Sequence, residues 1–340
     1  MPRKTQQNNI TSPELLEQIN PDNKQLLEDY ILYLESVQRS PKTIFSYKND
    51  LEIFFVWLLQ HAKNKFFVDI TKRDIIAYQN WLLTVNKNSP ARIRRLKSTL
   101  SSLANYVEMV LDEEYPNFRN FINKIENPAN TPVRKKTVLT EEQCQHLLDE
   151  LVKREKYELA CCVALAAFSG RRKSELVRFK VNYFDNKNII YGSLYKTPEE
   201  VKTKGRNGGK MLVCYTLSKD FKPYFDLWME YRKKKGIESE WLFPDKKDIT
   251  QHMNADTLNS WALTFSKILG VDFYFHSLRH HFVTRLALLG LPDSVIQNVL
   301  GWDSAEMCKV YKDIDKEDEF ADYFSEDGIV AKEKTKLSDL

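Results

Sequence analysis

The stretch Tyr157–Leu176 reads YELACCVALAAFSGRRKSEL. From Leu159 to Phe168 every residue is small or apolar, so a helix here has no polar face and must be buried on all sides. It is shorter than the roughly 18–20 residues that span a bilayer. Gly170 then stops it, as glycine commonly does at a helix C-terminus. Arg171, Arg172 and Lys173 follow at once, with Glu175 close behind. A guanidinium mounted at the end of a rigid buried helix suits a phosphate clamp, because its planar fork matches two phosphate oxygens. The ordinary alternative is a solvated helix start with a Glu175 ion pair.

Around this stretch the 340 residues exceed the roughly 250–300 that one core tends to hold, so two domains are expected. Residues 1–23 are polar and read as a mobile leader. Residues 24–118 carry four helical patterns with short connections, a compact bundle. Two of these patterns open with Ser40-Pro41 and Ser89-Pro90, which suit helix starts. Residues 119–138 form the expected linker, including the basic, proline-broken NPANTPVRKK at 127–136. Residues 139–316 make the second domain, which begins behind a capping-box pattern at Thr140. Strand-like pieces at 187–195 and 210–217 predict a small antiparallel sheet, and helices resume from residue 221. Residues 317–340 are a tail. The fold class is mainly α.

Hydrophobic residues make up 42% of the chain and charged residues 29%, a globular balance. No apolar run spans a membrane and no secretory h-region opens the chain, so a cytoplasmic location without membrane contact is expected. Five cysteines without C-x-x-C spacing fit buried thiols better than disulfides or zinc. Net charge is only +4, from 51 basic and 47 acidic residues, so charge placement matters more than its total.

Three further features carry chemistry. Lys202-Thr203-Lys204-Gly205-Arg206-Asn207-Gly208-Gly209-Lys210 lies between the strand-like runs, either a solvated hairpin tip or a carrier of lysine to DNA. In His276-Ser277-Leu278-Arg279-His280-His281, helical spacing puts His276, Arg279 and His280 on one face. Zinc is a weak reading there: serine stands where a metalloprotease has glutamate, and a third ligand is missing. Finally, Leu300-Gly301-Trp302 precedes Tyr311, which alone would read as ordinary half-buried core.

In this order the motifs resemble the tyrosine recombinase and phage integrase family, and SPKTIFSYKNDL at 40–51 resembles the same family's helical, SAM-like core-binding domain. The resemblance implies Arg172 and Arg279 as the two catalytic arginines, with Arg171 where members usually have an apolar residue. It implies His276 as the histidine before the second arginine and Tyr311 as the nucleophile. Trp302 stands where many members carry histidine and others tryptophan; its indole N–H donates but cannot exchange a proton. Lys204 is the favoured proton donor and Lys202 its alternative. Glu175 and His280 match supporting positions.

The implied reaction is metal-free and ATP-free cleavage and rejoining of double-stranded DNA through a 3′-phosphotyrosyl link, with no cofactor. Lys42, Lys48, Arg92, Arg94, Arg95 and Lys97 of the first domain are the implied DNA contacts, or else an ordinary solvated face. Homo-oligomers on DNA, in a tetrameric synapse, are the expected assembly, and Phe320, Tyr323 and Phe324 resemble the family's tail docked on a neighbouring copy, with packing on their own domain as the alternative. The alternatives are a catalytically inactive DNA-binding or architectural relative and a type IB topoisomerase-like enzyme. An inactive relative would have no chemical reason to keep Arg172, His276, Arg279 and Tyr311.

Overall fold

Ser12-Pro13 and Asn20-Pro21 each pair a capping side chain with the proline that suits a first helical turn. They start α1 (Pro13–Glu17) and α2 (Pro21–Ser36), with Ser12 accepting from the Leu15 amide and Asn20 from the Asp22 amide. The expected mobile leader is therefore corrected from Ser12 onward. Asn23 is fully buried; its side chain donates to Lys65 O and accepts from the Phe67 amide, both at 2.8 Å. This computed structural model describes residues 10–129, 138–203 and 209–304, and the backbone of a strand pair, Phe324–Ser325 with Gly328–Ile329. The chain splits into two compact units, whose described parts are 10–129 and the remainder.

In the first unit, α3 (Pro41–His61) starts at Ser40, α4 (Lys72–Thr84) at a Thr71/Asp74 capping box, and α5 (Pro90–Val110) at Ser89. Leu51, Phe54, Phe55 and Leu58 of α3 are fully buried. Phe54 meets Tyr78 of α4 edge-on, with ring centroids 4.9 Å apart. Residues 119–129, expected as linker, pack on α5 instead. Ile122 is buried, and Asn120 donates to Ser101 O at 3.1 Å and Ser101 Oγ at 2.9 Å. The apolar and amide side chains of 120–122 give this segment a partner that a free linker lacks.

The second unit is built around α7 (Tyr157–Ser169), whose residues 160–169 are all buried as the sequence demanded. Around it pack α6 (Glu141–Lys153), α9 (Ser218–Lys235) and α11 (Phe275–Leu288). The Thr140/Gln143 capping box of α6 forms as read. A one-turn helix, α8 (Lys173–Leu176), follows α7. The sheet has antiparallel order β1 (Ile189–Ile190), β2 (Leu194–Lys196), β5 (Tyr215–Leu217), while β3 (Val201–Lys202) and β4 (Met211–Leu212) pair separately as a hairpin. Helices α10 (Thr257–Leu269) and α12 (Asp293–Leu300) complete the unit. Among the described residues the fold is mainly α with small antiparallel sheets, and no helix is long and apolar enough to cross a membrane. The four described cysteines are buried and free; Cys308 lies outside the described residues.

Candidate active site

Gly170 caps α7 at φ +62°, in the left-handed region that glycine enters without a Cβ penalty. A Cβ there would lie 2.5 Å from Phe282 Cδ1 and 2.8 Å from Leu300 Cδ2, so glycine also permits α11 and α12 to close on the end of α7. Its carbonyl accepts from Arg279 Nη1 at 2.7 Å. One basic motif is thus docked directly on the other, 109 residues away in sequence.

The next two arginines part ways. Arg171 turns inward, 1% exposed, and donates to Val299 O at the end of α12. Arg172 keeps about a third of its side chain exposed, while its amide and Nη1 donate to the fully buried Glu175 carboxylate, both at 3.1 Å. Glu175 fixes the direction of the fork and leaves other N–H groups to reach outward. His276 lies exposed in the first turn of α11, and its ring meets His280 edge-on at 5.3 Å. Although it is exposed by surface area, enough protein crowds the ring to disfavour its charge. That desolvation first, then His280, Arg279 and Arg172, lowers its pKa to about 4, leaving it neutral at pH 7.

Trp302 follows Gly301, a left-handed cap at φ +65°; its amide donates to Gln297 O at 3.0 Å, closing the end of α12. Gln297 Nε2 in turn donates to Trp302 O at 3.1 Å. The buried Arg279 guanidinium lies over the indole, 5.1 Å from the ring centroid. Arg172, Glu175, His276, Arg279, His280 and Trp302 are therefore gathered from three separate segments of chain. Lys202 lies exposed on β3. Lys204 and Tyr311 lie outside the described residues, as do the tail aromatics Phe320 and Tyr323 and the side chain of Phe324. Among the described residues no three His, Cys, Asp or Glu side chains gather as metal ligands.

Residues 137–318 match the model of the phage integrase family, and residues 26–117 match that of the phage integrase N-terminal SAM-like domain. The chain belongs to the phage integrase family. It is similar to the SPbeta prophage-derived recombinase-like protein YomM of Bacillus subtilis (strain 168), 30% identical over 230 residues that cover 67% of this chain and 66% of that protein. It is also similar to the integrase of Salmonella phage P22, 25% identical over 192 residues covering 56% of this chain and 46% of that one. The match thus spans less than two thirds of either relative. In fold it is like XerH site-specific recombinase in a post-cleavage complex with a palindromic difH substrate, at TM-score 0.63 and 17% identity, covering 88% of this chain and 94% of that one.

The basic residues of this integrase-family chain's first unit divide. Lys42 and Lys48 are exposed on α3. Arg92 and Arg95 grip the buried Asp50 carboxylate at 2.7 and 3.4 Å and remain partly in solvent. Arg94 Nη2 donates to Pro128 O at 2.8 Å. Lys97, expected on the DNA side, is a correction: it is 4% exposed and donates to Gln79 Oε1, Ile125 O and Glu126 O at 2.8, 2.9 and 3.3 Å. Its long stem allows the ammonium to cross to acceptors that only folding assembles. Sequence reasoning passed over Arg178, whose Nη1 donates to Lys202 O at 3.3 Å, and gave Lys210 no role of its own within the basic hairpin run; it is paired with Asp303. Nothing in the spacing of these residues marks them; Asp50 was visible only as part of the 40–51 motif.

Proposed function

We propose that this integrase-family protein is a site-specific DNA recombinase acting through a 3′-phosphotyrosyl intermediate. The observation that carries the reading is the convergence of Arg172, His276, Arg279 and Trp302 on one another from distant parts of the chain. Charge grows on the non-bridging oxygens when a phosphodiester is attacked. Fixed donors placed where that charge appears supply most of the stabilisation in reactions of this kind. In the proposed step the Tyr311 oxygen gives up its proton to solvent and bonds to phosphorus, and the bond to the 5′-oxygen breaks. Lys204, or Lys202 in its place, gives the leaving oxygen its proton. The ester conserves the energy of the broken bond, so attack by another 5′-hydroxyl reseals the strand.

The partner on this reading is double-stranded DNA, met by Lys42, Lys48, Arg92 and Arg95 of the first unit through phosphate contacts. Exchange between two duplexes needs each exchanged strand to be cleaved by a tyrosine of its own, which implies several copies of the chain in one synapse. The test is Tyr311→Phe on nicked duplexes carrying candidate sites. Covalent adduct is expected to vanish on denaturing gels while duplex binding changes little. Adduct that persists would mean another nucleophile.

A further inference from the structure

We propose that Lys210 is a positioning residue of this reaction: it clasps the lysine-bearing hairpin to the turn that holds Trp302, and it touches no phosphate. The proposal rests on the recombinase reading above. Lys210 sits where the hairpin re-enters β4, and its ammonium pairs with Asp303 and lies 3.4 Å from Gly301 O. Both acceptors flank Trp302 in sequence. The backbone of the same residue closes the hairpin, because Lys210 O accepts from the Thr203 amide at 2.6 Å and from Thr203 Oγ1 at 2.7 Å. Thr203 stands between Lys202 and Lys204, the two proton-donor candidates. One residue thus joins the base of the hairpin to the Trp302 turn.

Two contacts independent of the ion pair place the hairpin at the same point. Gly301 has no Cβ where Leu212 of β4 needs the room: a methyl there would come within 2.4 Å of Leu212 Cδ1. On the other strand, Arg178 Nη1 donates to Lys202 O at 3.3 Å and to Ser174 O at 2.6 Å, tying β3 to the segment of Arg172 and Glu175. The two strands of the hairpin are therefore anchored to different parts of the cationic cluster. Asp303 stands eight residues before Tyr311 in sequence, so the clasp lies on the chain that leads to the proposed nucleophile. Proton donor and nucleophile must be aligned at a single phosphorus, and small misplacements there are costly to rate.

Magnitude separates this role from proton donation. Lys210 is partly exposed and Asp303 largely so, and exposed ion pairs are individually weak. Breaking the clasp is expected to slow adduct formation about two- to fivefold. Removing a proton donor slows cleavage roughly a hundredfold or more. The assay uses the full chain and labelled nicked duplexes tiled across the DNA on both sides of its gene. Lys210→Met and Asp303→Asn should each lose about two- to fivefold, and together no more than either alone, as expected for one shared interaction. The reversed pair, Lys210→Asp with Asp303→Lys, should return to within about twofold of the parent rate. A substrate with sulfur at the 5′-bridging position, whose thiolate leaves without a proton, should not rescue Lys210→Met.

A hundredfold loss in Lys210→Met that bridging sulfur restores would overturn the proposal and make Lys210 the proton donor. Parent rates in both single variants, or a reversed pair slower than either, would overturn it as well. Tyr311→Phe run alongside separates the two levels. Adduct in that variant, or none from the parent chain on any duplex, defeats the recombinase reading itself rather than the clasp.

Discussion

Arg171 and Arg172 are neighbours with opposite fates. The backbone at Arg172 is extended, φ −73° and ψ 151°, so successive side chains leave on opposite sides. One guanidinium braces Val299 O inside the protein and the other meets Glu175 at the surface of the cluster. The same local logic gives His276 a pH signature. Its pKa falls from the ordinary 6.5 to about 4, so folding favours the neutral ring. The corresponding stability is fully present above pH 6.5 and is lost as pH falls toward 4. In His276→Gln the denaturant midpoint should vary less between those two pH values than in the parent. An unchanged slope would mean that other groups carry the acid sensitivity.

Helix α5 shows how one basic run serves two purposes. Residues three apart share a helix face. Arg92 and Arg95 therefore reach Asp50 of α3, with Thr99 one turn on adding a 3.2 Å bond to the same carboxylate, while Arg94 and Lys97 reach the 125–128 segment. Arg92 and Arg95 keep part of their side chains in solvent, and Asp50 sets how their forks point. Asp50→Asn should cost about 1–3 kcal/mol of stability, less than a wholly buried pair would because both arginines retain access to water. Lys42→Ala should stay within about 0.5 kcal/mol, the usual range for an exposed side chain. Urea midpoints of the two variants make the comparison, and equal midpoints would remove Asp50 from its structural role.

Each of the two units has its own buried apolar cluster, one running from Ile19 to Ile122 and the other from Leu139 to Trp302. A unit with a core of its own can fold alone. Residues 10–129 should therefore unfold cooperatively as an isolated fragment. Ending the fragment at 118 removes Ile122 from the core and takes two carbonyl acceptors from Lys97, whose charge burial already disfavours. The shorter fragment should be less stable by about 2–4 kcal/mol, the burial of one large aliphatic side chain plus lost hydrogen bonds. Thermal melts of both fragments decide it; equal midpoints would put the boundary back at 118.

Helix starts at Ser40, Ser89 and Thr140, the all-round burial of α7 and the motifs that single out Arg172, Glu175, His276, Arg279 and Trp302 as candidates could be read from the chain alone. Caps and apolar periodicity act over a few residues, and motif identity depends on residue type and spacing, which sequence states directly. What a long basic side chain touches is not stated there. Lys97 was assigned to DNA and is held by protein carbonyls; Arg171, one residue from a catalytic candidate, braces a helix end 128 positions away, and Lys210 meets Asp303 across 93. A lysine or arginine is written the same way whether its charge faces water, a phosphate or a buried oxygen, and only the packing of remote segments selects among them.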